Sequence, residues 1–352
     1  MDMNDVLGLV RQGRLADATR RIQERLGGGE TESGAAGREM KDVTPRPKAL
    51  SGPAGATPGA PKRAKARRAA PPPSSKPRFR ARPFARSRGG SAPSLPEGGE
   101  WLTRTGALPH RLFVPPAPRS GAPLIVMLHG CTQTPEDFSA GTRMNHAAAG
   151  IGAHVLWPEQ VRGANANLCW NWFEPAHQGR GGEPGAIARV IEGVRGELGA
   201  GSVHVAGLSA GGAMAAVLGA RFPELVASVG IHSGLAVGSA SDVPSAFAAM
   251  GQGGAAGAAL ACPAIVFQGE ADRTVAPRNA DAFGGTGGRR VSEGGRSAQV
   301  FEGTGPGGHA AEIWRVEGLA HAWSGGDAAG SHSDPAGPDA TAHMLRFFAA
   351  QG

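Results

Sequence analysis

The segment Ala206-Gly207-Leu208-Ser209-Ala210-Gly211-Gly212 decides how the rest of the chain is interpreted. The residues before it, 203–206, are typical of a short buried strand, and the small and apolar residues after it, 213–220, are typical of a helix. A serine between them with a glycine two residues away on each side fits G-x-S-x-G, a turn so sharp that the serine is strained. Because 57 glycines occur in the chain, the pattern could also be an incidental serine in a glycine-rich turn. The other residues of a catalytic site must therefore be sought elsewhere.

Charge is distributed unevenly along the 352 residues. The formal net charge is +7, yet residues 46–90 carry 13 Lys and Arg and no acidic residue, so the remainder is net acidic. The high isoelectric point is therefore poor evidence for a nucleic-acid-binding core. Three cysteines are too few for a disulfide scaffold. No apolar run is long enough to predict a transmembrane helix, and the acidic start of the chain lacks the features of a signal peptide.

Three regions are predicted from these differences in composition. Residues 1–27 have two sets of apolar positions at helical spacing and predict a short αα-hairpin, which would dock on a partner or on the main body. Residues 28–100 are rich in Gly, Pro, Ala and Arg and predict a disordered linker. Its basic residues 62–88 would make a weak polyanion contact or only keep a solvated tether extended. Residues 101–352 predict the catalytic domain.

Apolar segments of strand length alternate with segments of helical periodicity in the third region. The predicted strands are residues 110–114, 124–128, 154–157, 203–206, 226–231, 263–268 and 311–316. The predicted helices are residues 135–150, 185–198, 213–220, 244–250 and 340–351. This alternation predicts an α/β fold with a mostly parallel sheet and helices on both faces. In such sheets, functional side chains gather at the carboxyl ends of the strands.

A serine hydroxyl needs a base, and the base needs a carboxylate that orients it. Asp272 follows the strand 263–268, and His321 follows the strand 311–316. Ser209, Asp272 and His321 thus stand at strand ends in the order Ser, Asp, His. We expect them to be nucleophile, acid and base.

Two alternatives to these assignments stay open. Glu270 lies two residues before Asp272 and could be the acid. His232 directly follows a strand, but it precedes almost every candidate acid after the serine.

Acyl transfer also requires two N–H groups for the developing oxyanion. We assign them to Ala210, the residue after the nucleophile, and to Cys131, in the turn His129-Gly130-Cys131 that ends an early strand. The alternative for that turn is a purely structural role. Cys131 and Cys169 lie on loops at the same end of the sheet and could form a disulfide. Cys262 is expected to be a buried free thiol.

Loop 158–184 is rich in Trp, Asn and Phe, which favours a binding rim over a plain connector. We expect Asn171 to contact substrate, and Trp172 and Trp323 to form the wall of the acyl pocket.

Several segments together resemble the esterases of the poly(3-hydroxybutyrate) depolymerase family. They are LHGCTQ at 128–133, CWNW at 169–172, GLSAGGAM at 207–214, GLAHAWSGG at 318–326 and DPAGPDA at 334–340. The resemblance covers about residues 101–350. It implies an α/β-hydrolase fold, a Ser-Asp-His triad and cleavage of carboxylic esters, and the related feruloyl and acetyl-xylan esterases share this architecture. Gln268 stands where the family often has His, and His332 stands where Tyr is common. We expect neither side chain to contact the triad.

The sequence thus predicts a serine esterase that works through an acyl-enzyme and needs no metal or organic cofactor. The expected substrates are polymers or oligomers of short-chain hydroxyalkanoates such as 3-hydroxybutyrate. The alternatives are an esterase of feruloyl or acetyl-xylan type, a thioesterase or peptidase on the same fold, and a non-enzymatic binding protein that acts through the basic N-terminal region. The resemblance suggests an extracellular protein, whereas the missing signal peptide favours the cytoplasm.

Overall fold

The computed structural model describes residues 92–255 and 257–351. This part of the chain contains a ten-stranded sheet. The predicted hairpin at 1–27, most of the predicted linker at 28–100 and its basic stretch at 62–88 lie outside the described residues. Ser94 and Leu95, near the end of that predicted linker, contact the folded body. The Ser94 carbonyl accepts a hydrogen bond from Asn145 Nδ2 at 2.9 Å, and Leu95 packs against the core.

The sheet is parallel at its centre and antiparallel at both edges. Its strands are β1 (Glu100–Arg104), β2 (His110–Val114), β3 (Leu124–Leu128), β4 (His154–Pro158), β5 (Val203–Leu208), β6 (Ser228–His232), β7 (Ala264–Gly269), β8 (Thr286–Glu293), β9 (Arg296–Thr304) and β10 (Ala310–Val316). Their order is β1-β2-β4-β3-β5-β6-β7-β10-β9-β8. The six central strands, β4-β3-β5-β6-β7-β10, pair in parallel. The outer pairs are antiparallel, namely β1 with β2, β2 with β4, β10 with β9 and β9 with β8. A short parallel pair, β11 (Trp323–Ser324) and β12 (Ser333–Asp334), lies apart from the sheet.

Helices cover both faces of this sheet. They are α1 (Pro135–Thr142), α2 (Met144–Gly150), α3 (Gly182–Leu198), α4 (Ala210–Arg221), α5 (Val243–Gln252) and α6 (Ala340–Ala349). Helices α3, α4 and α5 contribute to one apolar core, and α1, α2 and α6 contribute to the other. The strands between them are buried on both faces, so their sequences are near-continuous apolar runs. The predicted α/β-hydrolase fold is confirmed. None of the helices in the described ranges is long and apolar enough to cross a membrane.

Apart from shifted element ends and the short strands β1, β11 and β12, which were not predicted, the structure differs from the sequence prediction in two places. The helix expected over 135–150 is broken at Arg143, whose φ of 54° ends α1 and begins α2. The hairpin of β8 and β9 was not expected, because most of β8 is exposed and it has no apolar run. Gly294 and Gly295, both at positive φ, form its two-residue turn, and a Gly-Gly pair is a recognised signal for such a turn.

Candidate active site

Ser209 lies at the turn from β5 into α4 with φ 58° and ψ −119°, a conformation that L-residues rarely adopt. Its N–H donates to the carbonyl of His232 on the neighbouring strand at 2.8 Å, which holds the turn against the sheet. A Cβ on Gly211 would lie 2.0 Å from the Leu128 carbonyl oxygen, and one on Gly207 would lie 2.4 Å from the backbone of Gly211. The strained turn and the need for its two glycines are therefore confirmed.

His321 and Asp272 form a hydrogen-bonded pair at the same end of the sheet. Nδ1 of His321 lies 2.8 Å from Oδ2 of Asp272, whose side chain is fully buried. The other carboxylate oxygen, Oδ1, accepts from the N–H groups of Thr274 at 2.8 Å and Val275 at 2.9 Å. Because an ionised carboxylate only accepts hydrogen bonds, Nδ1 carries the imidazole proton and Nε2 is left as the free acceptor.

The electrostatics of Asp272 favour this arrangement. Burial alone would raise the pKa of the carboxyl, but the hydrogen bond and charge of His321, with the N–H groups of Val275 and Thr274, outweigh it. The pKa of Asp272 therefore lies below its ordinary value, and the group is ionised at neutral pH.

The two alternative residues occupy other environments. Glu270 pairs with Arg315 at 3.1 Å, and its side chain is 39% exposed. His232 is fully buried, stacks on the ring of Trp323 at 5.0 Å, and its Nε2 accepts the N–H of Ser324 at 3.0 Å. Burial lowers the pKa of His232 to about 3, so it is a neutral histidine of the core.

The loop after β3 presents an unused N–H group. The carbonyl of Gly130 accepts from Nδ1 of His129 at 2.9 Å and from the N–H of Gln133 at 3.3 Å. Because C=O and N–H point in opposite directions across a trans peptide, the N–H of Cys131 points away from both partners. In the described part of the chain, neither this N–H nor that of Ala210 has a protein acceptor.

His129 fixes the orientation of that peptide. Its Nε2 accepts the N–H of Gln160 at 3.1 Å, so Nδ1 carries the proton that it donates to the Gly130 carbonyl. Burial lowers the pKa of His129 to about 4, which keeps the ring neutral and this tautomer in place.

A cavity of about 510 Å³ opens at this end of the sheet, and Ser209, His321 and Cys131 line it. This volume is in the range of small-molecule sites. Thr132, Asn165 and Asn167 contribute polar groups to the lining. The rest is mainly apolar and includes Trp172, Phe173, Val243, Ala246, Phe247 and Met250. Within the ranges described, no three His, Cys, Asp or Glu side chains lie together in a way that could hold a metal ion.

The three expected substrate contacts differ in position. Trp172 lines the cavity. Trp323 does not, because its ring is fully buried between Phe138 and His232 and its Nε1 donates to Oγ1 of Thr341 at 3.0 Å. The assignment of Trp323 to the pocket wall is therefore corrected to a place in the core.

Asn171 is also absent from the cavity lining. It is 6% exposed, its Nδ2 donates to Glu183 Oε1 at 2.6 Å, and its Oδ1 accepts from Asn165 at 2.8 Å. Asn171 thus holds loop 158–184 to α3, and its hydrogen-bond partner Asn165 is one of the polar residues that line the cavity.

The predicted disulfide between Cys131 and Cys169 is present and joins the loop after β3 to loop 158–184. The prediction for Cys262 is also confirmed, since it is a buried free cysteine. Burial raises the pKa of its thiol to about 12, so it is not a reactive thiolate.

The expectation that Gln268 and His332 stay clear of the triad is wrong. Nε2 of Gln268 lies 3.3 Å from Oδ2 of Asp272. The ring of His332 lines the cavity, with its centroid 6.2 Å from that of His321. One signal for Gln268 was available in the sequence: it is a polar residue in an otherwise apolar buried strand, four positions before Asp272. Nothing in the sequence around His332 indicated its position.

The chain is similar to a known protein family and to several known proteins. Residues 108–291 match the family model described as Esterase PHB depolymerase. Poly(3-hydroxyalkanoate) depolymerase C of Paucimonas lemoignei is 33% identical over 206 residues, which are 53% of this chain and 49% of that protein. Feruloyl esterase B of Neurospora crassa is 29% identical over 163 residues, 44% of this chain and 55% of that protein. The chain thus spans about half the length of these curated relatives.

Among solved structures, the acetyl xylan esterase from Aspergillus awamori superposes with a TM-score of 0.51 at 18% identity. The match covers 63% of this chain and 94% of that one. At this identity the likeness concerns the fold alone.

Proposed function

Since the chain belongs to the esterase PHB depolymerase family, we propose that it hydrolyses carboxylic esters through an acyl-enzyme on Ser209. One observation carries the proposal. A serine in a strained turn and a histidine oriented by a buried carboxylate line the same cavity, beside two N–H groups that lack a protein acceptor among the described residues. Acyl transfer requires these components together.

The reaction follows from the position of each proton. Nε2 of His321 removes the proton of Ser209 as its Oγ attacks the ester carbonyl, and the carboxylate of Asp272 stabilises the imidazolium that forms. The N–H groups of Ala210 and Cys131 donate to the oxyanion. His321 then gives its proton to the leaving alcohol. A water molecule, activated in the same way, hydrolyses the acyl-enzyme and regenerates the serine.

The proposed substrates are oligomers or polymers of short-chain hydroxyalkanoates such as 3-hydroxybutyrate. The apolar part of the cavity, formed by loop 158–184 and α5, suits the aliphatic units of such a chain. The relative from Paucimonas lemoignei, named for a poly(3-hydroxyalkanoate), supports the same class.

A second candidate is an ester of a carbohydrate, as in feruloyl or acetyl-xylan esterases. Thr132, Asn165 and Asn167 favour it because they place hydrogen-bonding groups on the cavity wall, where sugar hydroxyls could bind.

A substrate panel with the full-length chain tests the proposal. It contains a 3-hydroxybutyrate oligomer, a feruloyl ester, an acetylated xylo-oligosaccharide and a peptide amide. The oligomer is expected to be hydrolysed with the highest kcat/KM. Ser209→Ala should lower kcat by about 10⁴-fold or more, whereas Ser292→Ala, a serine on the exposed hairpin strand β8, should leave it unchanged. Faster cleavage of the amide, or full activity in Ser209→Ala, contradicts the proposal.

A further inference from the structure

We infer that Gln268 is a positioning residue that holds the carboxylate of Asp272 in the orientation in which it accepts the hydrogen bond of His321. The inference rests on the proposed esterase function and adds a member to its acid–base apparatus. Gln268 does not line the cavity, so its effect would pass through Asp272 and not through substrate contact.

The donors around Asp272 form a complete set only when Gln268 is included. Oδ1 accepts two backbone N–H groups, from Thr274 and Val275. Oδ2 accepts Nδ1 of His321 at 2.8 Å and Nε2 of Gln268 at 3.3 Å. An ionised carboxylate has about four acceptor positions. The side chain of Asp272 is fully buried, so solvent does not replace a donor that is lost.

The amide of Gln268 is itself fixed in one orientation. It lies at the end of β7 and is 1% exposed. Besides Asp272, its Nε2 faces the carbonyl oxygens of Val275 at 3.0 Å and Gly269 at 3.4 Å. Three acceptors around one end of the amide identify that end as the NH₂ group, because the oxygen there would face only other oxygens.

The contacts give Gln268 a mechanical role. Its amide bridges the two ends of the turn from Gly269 to Val275, and this turn carries Asp272. The two N–H groups on Oδ1 fix one oxygen, while Gln268 fixes the rotation that aims Oδ2 at His321. Without that restraint the carboxylate stays ionised and buried, but its hydrogen bond to the imidazole is less well defined.

Gln268→Met tests this role because methionine has a similar length and no N–H donor. A hydrogen bond to a charged group corresponds to about a tenfold to hundredfold change in rate. We expect kcat to fall within that range, while KM for the best ester stays within about twofold. Gln299→Met on β9 is the matched control and should leave both constants unchanged.

A double-mutant cycle with Asp272→Asn separates positioning from a general structural effect. If Gln268 acts through the carboxylate, Gln268→Met should cost almost nothing in kcat when Asp272 is already replaced. A structural role would instead lower kcat by the same factor in both backgrounds. Gln268→Leu, which also lacks an N–H donor and adds no charge beside Asp272, is the second variant should Gln268→Met fold poorly, and it should also lose kcat at constant KM.

The outcomes distinguish this inference from the proposed function. Wild-type protein that hydrolyses no ester contradicts the proposed function. An active wild type with folded Gln268→Met or Gln268→Leu of unchanged kcat overturns the inference alone. So does a rise in KM without a fall in kcat, or an equal loss on the Asp272→Asn background.

Discussion

The disulfide between Cys131 and Cys169 ties the loop that presents the Cys131 N–H to the loop that forms one side of the cavity. A backbone hydrogen bond from the N–H of Thr132 to the carbonyl of Asn167, 2.7 Å long, runs beside it. One covalent link therefore restrains both the loop of the proposed oxyanion donor and the loop that shapes the cavity, in addition to this hydrogen bond and the one from His129 to the Gly130 carbonyl. Breaking this link should affect stability and turnover together.

Cys169→Ser is expected to lower the free energy of unfolding by about 2–4 kcal/mol, because it opens a closed loop between residues 38 positions apart. It should also lower kcat, since the Cys131 N–H loses its restraint. Urea denaturation and ester hydrolysis measure the two effects. Wild-type protein in dithiothreitol should behave like the variant, and the variant itself should not respond to dithiothreitol. Equal midpoints for the wild type with and without the reductant would contradict this prediction.

The glycines around Ser209 predict a sharp contrast between two substitutions. Gly211→Ala places a Cβ 2.0 Å from the rigid backbone oxygen of Leu128, so it should displace the turn and abolish both activity and stable folding. Gly193→Ala in α3 meets nothing within 4 Å and should stabilise the protein by about 0.5–1 kcal/mol. Thermal unfolding of the two variants checks this directly. A folded and active Gly211→Ala variant would show that the strained turn is dispensable.

The central strands, and the place of Ser209, Asp272 and His321 after strand ends, were predictable because each rests on a strong local signal. A strand buried on both faces must be apolar along its whole length, so β3 and β7 stand out in the sequence. Active-site groups in a parallel sheet follow strand ends, and both chain order and position were therefore available.

The features that the sequence could not predict depend on how deeply a side chain is buried and on contacts between segments that are distant in sequence. Trp323 was expected in the pocket wall, but whether an aromatic ring lines a cavity or lies behind it depends on the packing of Phe138 and His232, which are distant in sequence. Gln268 contacts Asp272 only because the chain turns back after β7. The exposed strand β8 is stabilised by its pairing with β9 and has no burial pattern of its own.

Acid should destabilise the fold most strongly through three of its buried histidines. Burial lowers the pKa of His129 to about 4, that of His204 to about 4 and that of His232 to about 3, whereas an unfolded histidine titrates near 6.5. Between these limits the unfolded chain binds more protons than the folded one, so stability is complete above about pH 6.5 and falls as the pH drops towards 4. Each group contributes on the order of 1 kcal/mol per pH unit in that window.

Denaturation midpoints measured from pH 7 to pH 4 test the contribution of one of these residues. His204→Gln keeps hydrogen-bonding capacity towards Ser202 and Ser228, the partners of the histidine ring, and should give a shallower decline than the wild type. His309→Gln, at an exposed position, is the control and should follow the wild-type curve. A wild-type stability that does not change over this range would contradict the assignment of these histidines as neutral core residues.

The exposed apolar side chains of α5 should determine which acyl groups the proposed esterase prefers. Phe247 is 68% exposed and Val243 is 51% exposed, and both line the cavity that contains Ser209. A longer acyl chain can bury these surfaces on binding, whereas an acetyl group is too short to cover them. Phe247→Ala should therefore weaken the binding of long-chain esters only. We expect kcat/KM for p-nitrophenyl hexanoate to fall about tenfold, the lower end of the range for one methylene group in an apolar pocket, with little change for p-nitrophenyl acetate. Ile151→Ala removes a 37% exposed side chain that does not line the cavity and should leave both rates unchanged. An equal loss on both esters would mean that Phe247 supports the fold of the site and does not select the acyl chain.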